Sequence, residues 1–434
     1  MTVHSPGNRS ASILIGAGSL VLLVSGVFLG AYFVRVQDAQ ARDTPAAGAS
    51  APSAVASAQV TAVKLDQPVE LVFESRKIQK TWADLGLVER GEDLIVDRGK
   101  VTDAVAAIKA EVDRRPLNAR MDLEARTIHR DEPGWGVDMH ASVSAIEAAA
   151  RSGAASIELE GAAIPPTTTV ADLGIEDVST VLSQFVTKFS ISEKSRNDNL
   201  KLLASHLDGL VIQPGEEISF NAMSGDRTEK EGYKVAHVIT AGEMVDGMAG
   251  GACQISTTLH GAAFFAGLDV TDTTPHSRPS TYVALGLDST VVYPSVDLKF
   301  KNPYDFPVAI RYRVARGEAE VEILGQAKPF DSIEFVRQVV EKKAFETVTR
   351  EDEGIGFGHM VIDQAGFPGY KMYRYRKVYK DGKVVRQNKW TLNYRPVVEY
   401  VRMGVNPDPN LPAPKQKTSH GPTPARGSVM KIVR

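Results

Sequence analysis

Residues 247–268 read GMAGGACQISTTLHGAAFFAGL, a glycine-rich stretch that leads directly into an apolar run. From residue 256 to residue 266 the apolar positions recur at helical spacing, and Gly267 is suited to end a helix. Gly247, Gly250 and Gly251 permit a sharp turn and a close approach of backbone to a ligand. The stretch therefore predicts a glycine turn followed by a buried helix.

Cys253 is the single cysteine of the chain and falls at or just before the start of that helix. The helix dipole and the first N–H groups favour a thiolate at this place, and the same N–H groups can hold an oxyanion during acyl transfer. The alternative is a small buried side chain that fills a contact between helix and sheet. We favour the interpretation of Cys253 as a nucleophile.

A cysteine nucleophile needs a base, and the nine histidines of the chain differ in position. His276 is the preferred base because it lies in a loop that follows a predicted strand at 268–271. His237 is a weaker candidate. His260 lies seven residues after Cys253 on the predicted helix and is expected to pack or to form hydrogen bonds.

A third group should orient the imidazole of the base. Asp288 and Asp297 flank a predicted strand at 290–293, and either carboxylate could fill this role or cap a turn. We prefer Asp288. Arg196, Arg227 and Lys299 are candidates for binding substrate carboxylates, or alternatively for ion pairs at the domain surface.

Composition narrows the classes of protein to be considered. The chain has 434 residues, of which 43% are hydrophobic and 24% charged, with a net charge of -3. These values are typical of a globular protein of roughly two to four domains, and they exclude a globally basic nucleic-acid binder. One cysteine permits neither an intramolecular disulfide nor a cysteine-based zinc cluster, and no HExxH motif is present. We predict no metal and no cofactor.

The N-terminal region predicts a membrane anchor. After a short segment at 1–10, residues 11–34 carry no charge and are mostly apolar. A bilayer core requires about 20 such residues, so we predict a retained transmembrane helix at 11–34. An Ala/Pro/Ser linker follows at 35–59. The AQA sequence at 39–41 resembles a signal-peptidase site, so cleavage is the alternative.

Residues 60–178 predict a mixed α and β domain. A strand is expected at 69–74, and helices are expected at 102–114 and 142–151 with Thr102 and Ser142 as their N-caps. The sequence TWADLGL at 81–87 returns as TVADLGI at 169–175, either by chance or as two copies of one unit. This arrangement resembles the peptidoglycan-binding domain that precedes VanW domains.

Residues 188–316 are similar to a VanW domain from end to end. The ordered motifs are SRNDNL at 195–200, IQPGEEISFN at 212–221, GDRT at 225–228, GGACQISTTL at 250–259, PHS at 275–277 and DLKFKN at 297–302. The resemblance implies L,D-transpeptidase activity, with Cys253 as nucleophile and His276 as the family histidine. We take Gly250, Gly251, Gln254, Ser256, Arg196, Arg227, Asp297 and Lys299 as the candidate substrate-binding residues.

Residues 328–404 predict a small β-rich domain. Asp381-Gly382 can supply the positive φ angles of a tight hairpin turn, and the glycine pattern resembles the small β domain often appended to VanW domains. Residues 405–434 predict a disordered tail. The fold class is therefore α+β, in several domains behind an N-terminal transmembrane helix.

Two classes of function follow from these features. The first is an extracytoplasmic cysteine L,D-transpeptidase, anchored to the cell membrane by a single span, that cross-links peptidoglycan stems through an acyl-enzyme. The second is a non-catalytic peptidoglycan-binding or scaffold protein of the cell envelope, which the basic, tyrosine-rich β domain would suit. In both, the expected partners are peptidoglycan and the membrane, with no nucleic acid.

Overall fold

The computed structural model describes residues 62–240, 243–277, 279–280, 282–408, 410–412 and 414. The predicted anchor at 11–34 and linker at 35–59 lie outside these residues, as does most of the predicted tail at 405–434. Within the described ranges, every helix is too short or too polar to span a bilayer.

The first domain combines short antiparallel strand pairs with two long helices. Its strands are β1 Pro68–Phe73, β2 Arg76–Thr81, β3 Leu87–Arg90, β4 Asp93–Val96, β5 Arg120–Asp122, β6 Thr127–His129, β7 Gly134–Val137, β8 Ser156–Glu158 and β9 Gly161–Ile164. Its helices are α1 Arg98–Val112, α2 Met139–Ser152 and α3 Val170–Leu173. The strand β1 lies between antiparallel β2 and parallel β8, and α1 and α2 bury their apolar faces around Trp82.

The predicted N-caps of the two long helices are wrong. Each helix begins earlier than expected, because the carboxylates of Asp97 and Asp138 accept hydrogen bonds from the first N–H groups of α1 and α2. An aspartate is as good an N-cap as serine or threonine. Thr102 instead bonds the carbonyl of Arg98, and Ser142 is buried inside α2.

The repeated Thr-x-Ala-Asp-Leu-Gly sequence has one shape at both places. The carboxylate of Asp84 accepts from the backbone N and hydroxyl of Thr81, and that of Asp172 accepts from the same two groups of Thr169. In each copy the aspartate N–H donates back to the threonine hydroxyl. The repeat is therefore two instances of one reciprocal capping turn.

The second domain is built on a four-stranded antiparallel sheet with helices on one face. Its strands are β10 Thr180–Lys188, β11 Val211–Ile212, β12 Glu217–Ser219, β13 Val235–Thr240, β14 Glu243–Met248, β15 Asp269–Asp272, β16 Lys299–Lys301, β17 Val308–Ala315 and β18 Glu318–Gly325. Its helices are α4 Lys194–Ser205, α5 Phe220–Ser224 and α6 Ala252–Phe265. The main sheet has the order β10-β18-β17-β11, and a smaller sheet has the order β12-β16-β15.

Helix α6 is the central element of this domain. Twelve of its residues are buried, because it packs on β10 and β18 on one side and on α4 on another. The absence of a Cβ at Gly261 allows the ring of Phe185 to lie against the helix, since a Cβ there would be 2.5 Å from that ring. The predicted buried helix is confirmed, and it begins four residues earlier than the apolar run suggested.

The C-terminal part consists of two three-stranded sheets. Its strands are β19 Ser332–Lys343, β20 Thr347–Gly356, β21 Met360–Gln364, β22 Gly369–Lys380, β23 Lys383–Tyr394 and β24 Glu399–Asn406. The orders are β19-β22-β23 and β20-β24-β21, and β20 pairs with β24 in parallel. The predicted hairpin is confirmed, with φ of 51° at Asp381 and 70° at Gly382. The predicted α+β, multidomain, β-ended architecture is thus observed for the described residues.

The second domain makes polar and apolar contacts with both of its neighbours. Arg126 of the β5–β6 turn donates two hydrogen bonds to Glu322 on β18, which also binds Arg311 of β17. On the other side, Ile333 and Val378 of the C-terminal sheet belong to the same apolar core as α6. The three domains therefore share interfaces rather than being joined by linkers alone.

Candidate functional site

Cys253 is the second residue of α6, directly after a glycine turn. Gly251 is the N-cap and has a φ of 110°, a conformation that side chains with a Cβ rarely adopt. A Cβ at Gly251 would also lie 2.9 Å from Cδ2 of Leu200 on α4. The glycine is therefore needed to bring α4 against the turn, and this contact fixes where α6 begins.

Two further groups of the turn are held by α4. The side-chain amide of Asn199 donates to the carbonyls of Gly250 and Lys234, and its oxygen accepts from the Lys234 N–H. Because Asn199 is buried and makes three hydrogen bonds to backbone, it holds the backbone at Lys234 and at Gly250 in place. The glycine turn, held by Asn199, thus fixes the position of Cys253.

His276 and Asp288 lie together beside the start of α6. Oδ2 of Asp288 accepts a 2.6 Å hydrogen bond from the backbone N of His276 and lies 3.4 Å from Nδ1 of its ring. The hydroxyl of Ser280 is 2.7 Å from the same Nδ1. Both members of the pair are at most 4% exposed. The carboxylate of Asp288 therefore holds the loop of His276, and Asp288 and Ser280 together hold its ring.

The thiol of Cys253 is half-buried, contacts the loop after Asp288 and lies near enough to His276 for the imidazole to affect its pKa. Burial raises its pKa, but the hydrogen bond and charge of His276 outweigh burial, so the pKa of Cys253 lies below its usual value. Sγ lies 3.7 Å from the carbonyl oxygen of Val291, and the charge of Arg227 lowers the pKa further. A thiol with a lowered pKa that is accessible in part is suited to nucleophilic attack.

The first amides of α6 are mostly engaged by the turn itself. The N–H of Ala252 donates to Ala249, and those of Gln254 and Ile255 donate to Gly251. Within the described part of the chain, the N–H of Cys253 is left among these amides for an incoming oxyanion. A single amide at a helix N-terminus, beside the nucleophile, is a usual component of an oxyanion hole.

Arg227 is a buried cation near the thiol. Its Nη2 donates to Asn221 and Ser224, and its guanidinium lies 5.2 Å from the ring centre of Phe220. Among the described residues its Nε has no hydrogen-bond acceptor. Burial lowers the pKa of Arg227, and the nearby charge of Cys253 opposes that effect. The positive charge of Arg227 can favour a substrate carboxylate near the thiol.

Two of the remaining predicted substrate-binding residues, Gln254 and Ser256, are hydrogen-bonded inside the protein. Gln254 accepts a hydrogen bond from Arg196, and its buried amide donates to Thr187 and Lys188. Ser256 is also buried, and its hydroxyl donates to the carbonyls of Cys253 and Ser289. Gln254 and Ser256 are thus part of the scaffold that holds α6, because their polar groups are already satisfied inside the protein.

The predicted alternative orienter, Asp297, lies elsewhere in the domain. Its carboxylate accepts from the hydroxyl of Ser219 and the N–H of Asn221, at the start of α5. Lys299 lies on β16, paired with Ser219 and Asp272. The structure therefore brings Asp288, and not Asp297, to His276. The side chain of His237 lies outside the described part of the chain.

Sequence reasoning did not single out Ser280 and Tyr282 as members of the site. The ring of Tyr282 stands edge-on to that of His276, with centroids 6.2 Å apart. Burial, followed by the charge of Cys253, raises the pKa of Tyr282 above its usual range. Both residues follow His276 within six positions, so their closeness in the chain was the available signal.

His260 has the structural role that was expected of it. It is fully buried, with its Nδ1 2.8 Å from the carbonyl of Leu287 and its Nε2 accepting from Arg374 at 3.1 Å. Burial and then the charge of Arg374 lower the pKa of His260 to about 3. Across the described residues, no cluster of three or more His, Cys, Asp or Glu side chains could hold a metal ion.

Comparisons with known protein families assign three segments of the chain. The family described as "VanW like protein" matches residues 195–324, "G5 domain" matches 336–406, and "Putative peptidoglycan binding domain" matches 88–157. The candidate site lies inside the first of these segments. The family resemblance inferred from the sequence is confirmed.

Two curated relatives are similar to parts of the chain. The uncharacterized protein YoaR of Bacillus subtilis is 43% identical over 130 residues, which are 30% of this chain and 43% of that protein. The vancomycin B-type resistance protein VanW of Enterococcus faecalis is 25% identical over 183 residues, which are 39% of this chain and 66% of that protein. The chain thus spans less than two thirds of either relative.

Two solved G5 structures are also similar to the chain. The IgA1 protease G5 domain is 18% identical, with a TM-score of 0.12, over 17% of this chain and 92% of that one. The HP0197-G5 structure is 22% identical, with a TM-score of 0.11, over 17% of this chain and 100% of that one.

Proposed function

This chain is a VanW homologue in which a domain of the peptidoglycan binding family precedes the VanW domain and a G5 domain follows it, and we propose that it is a cysteine L,D-transpeptidase of peptidoglycan stem peptides. The observations that support the proposal most directly are the pKa of Cys253, which His276 helps to lower below its usual value, and the position of Asp288 beside His276. This is the order of roles in nucleophile, base and orienter triads.

The proposed reaction proceeds in two acyl transfers. The Cys253 thiolate attacks the carbonyl carbon of the amide between an L-configured centre and D-alanine, and the N–H of Cys253 receives the oxyanion. The C–S bond forms, the C–N bond breaks, and His276 gives its proton to the departing amine. The amine of a neighbouring stem then attacks the thioester, a new C–N bond forms, and its proton passes to His276 as the thiolate leaves.

The surroundings of Cys253 suit a peptide substrate that bears carboxylates. Arg227 supplies a buried positive charge near the thiol, and Arg196 lies near the glycine turn that precedes Cys253. Val292 and Tyr293, next to the Val291 carbonyl that contacts Sγ, are half exposed and offer an apolar rim. The charges of these two arginines and the exposed apolar side chains suit a peptide stem that bears carboxylates and small side chains.

The proposal includes the partner and the place of action. The first domain would hold the chain on peptidoglycan, and residues 11–34 would anchor it to the membrane with the rest outside the cytoplasm. Protease added to intact spheroplasts should then remove the globular part while a cytoplasmic marker stays protected. Protection of both would contradict this topology.

The activity itself is tested on isolated sacculi. Wall material rich in tetrapeptide stems is incubated with the purified chain or with Cys253→Ala, and the muropeptides are analysed by mass spectrometry. We expect new cross-linked dimers with loss of D-alanine for the wild type and none for the variant. Sacculus binding by both proteins, with no change in muropeptides from either, would favour the non-catalytic scaffold instead.

A further inference from the structure

The C-terminal β domain reaches the candidate site through the middle of β22 and the end of β23. The hydroxyl of Tyr394, the last residue of β23, donates a 2.6 Å hydrogen bond to Oδ1 of Asp288 and accepts one from the N–H of Gly286 at 3.0 Å. From β22, Arg374 donates to the carbonyl of Gly286. Two strands of a different domain thus hold the loop that contains Asp288.

We propose that Tyr394 is a positioning residue of the Cys253 site, which makes the G5 domain a structural component of that site rather than an independent module. The assignment rests on the proposed function only in giving Cys253, His276 and Asp288 their roles. Tyr394 would act through Asp288 and would not touch the substrate.

One carboxylate oxygen of Asp288 contacts the C-terminal domain, and the other contacts His276. Oδ1 accepts from the hydroxyl of Tyr394 and, at 3.2 Å, from the N–H of Gly286, whereas Oδ2 faces His276. Asp288 and Tyr394 are both 3% exposed, so water has little access to replace a missing donor. Without the hydroxyl, Oδ1 would keep one long hydrogen bond and the carboxylate could rotate away from the imidazole.

The charge balance at this boundary supports the same assignment. Arg374 is buried between the rings of Trp390 and Phe264, at 4.4 and 5.5 Å from their centres. Burial lowers the pKa of Arg374, and the charge of the nearby Asp288 opposes this lowering. A buried carboxylate that orients a catalytic base needs compensating donors and charge, and here both come from the C-terminal domain.

The hydroxyl, and not the ring, is the feature that the proposal concerns. Tyr370 is the register partner of Tyr394 across β22 and β23 and packs in the same small apolar cluster. Tyr370→Phe is therefore a matched control, because it removes a tyrosine hydroxyl from the same sheet without touching Asp288. Tyr394→Phe removes the hydroxyl that does.

The test follows alkylation of Cys253 by iodoacetamide as a function of pH in the full chain. Because the chain has one cysteine, the reaction reports on that thiol alone. We expect Tyr394→Phe to move the inflection upward and to slow alkylation at neutral pH by about 3- to 10-fold. Tyr370→Phe should behave as the wild type. Asp288→Asn should slow alkylation at least as much, and adding Tyr394→Phe to it should change nothing further.

The outcomes separate positioning from simple packing. A folded Tyr394→Phe variant with the wild-type profile would overturn the proposal, and so would additive effects in the double variant. If Tyr394→Phe does not fold, Asp288→Asn decides, since a folded variant with an unshifted profile removes the basis of the assignment. Alkylation needs no peptidoglycan, so a shifted profile without transpeptidation would contradict the proposed function and leave this inference standing.

Discussion

Oδ2 of Asp288 accepts a 2.6 Å hydrogen bond from the backbone N of His276 and lies 3.4 Å from Nδ1 of its ring. The carboxylate therefore fixes the path of the loop, and together with the hydroxyl of Ser280, 2.7 Å from the same Nδ1, it orients the ring. A ring held in this way has few alternative positions, so it stays within reach of the thiol without paying ordering entropy at each turnover.

The first prediction concerns the base. His276→Ala removes the hydrogen bond and charge that keep the Cys253 pKa low, so burial should raise that pKa. We expect iodoacetamide labelling at pH 7 to slow by on the order of 10-fold. The rate of acylation by a tetrapeptide stem should fall by on the order of 10²–10⁴, measured by rapid quench and mass spectrometry.

His237→Ala is the control for this variant, because His237 was the other histidine considered as base. Its labelling and acylation rates should remain within about 3-fold of the wild type, far less than the loss of a general base. An equal loss in both variants would mean that His276 has no special role.

A second prediction concerns the stability of the fold at low pH. The folded state lowers the pKa of His260 from 6.5 to about 3, so between these values the unfolded state binds more protons than the folded state. The free energy of unfolding should therefore fall as the pH decreases through that window, by at most about 1.4 kcal/mol per pH unit from this group. Urea unfolding at pH 5 and pH 7 measures the slope.

His260→Asn should be less stable at pH 7 but should show a smaller loss on going to pH 5. His206→Asn, which changes an exposed histidine at the end of α4, should keep the wild-type slope. A variant at position 260 with the wild-type slope would show that His260 is not the group that titrates.

The third prediction concerns the interface between the first and second domains. Glu322 is 2% exposed in its side chain and binds both Arg126 and Arg311. Glu322→Gln leaves the mostly buried guanidinium of Arg311 without its buried carboxylate partner, with only the exposed carboxylate of Glu124 beside it. We expect a loss of about 2–3 kcal/mol in the free energy of unfolding. Urea denaturation at neutral pH provides the measurement.

Glu320→Gln is the matched control, two residues away on the same strand. Its partner Arg313 is 54% exposed in its side chain, so water screens the cation of that pair, and the amide of Gln184 remains beside position 320. Its loss should cost less than about 1 kcal/mol. Equal losses in the two variants would argue that the buried ion pair has no special weight.

Local sequence features were enough to place the core of the site. The glycine turn, the helix with its apolar spacing and the position of Cys253 are all encoded within about 20 neighbouring residues, which is the range over which propensity and periodicity operate. His276 could be favoured as base from its loop position, and the structure places it beside Asp288; its role as base stays a prediction.

The parts that were not foreseen depend on distant residues. Gln254 and Ser256 lie beside Cys253 in the chain, but their side chains point into the interior. There they form hydrogen bonds with β10 and with the loop at residue 289. Tyr394 is more than a hundred residues from Asp288, and no local pattern connects the two. The prediction of Thr102 as the N-cap of α1 was an error that the sequence could have avoided, because Asp97 is an equally good capping residue.

The central claim is tested most directly by the intact mass of the protein after incubation with a tetrapeptide stem. Wild-type protein should gain the mass of a tripeptide acyl group on Cys253, with release of D-alanine, and should lose it when an amine acceptor is added. Cys253→Ala should remain unmodified while keeping its fold, because removal of one sulfur atom leaves a smaller cavity than deletion of a leucine side chain. Cross-linking of stems by Cys253→Ala at the wild-type rate would contradict the account.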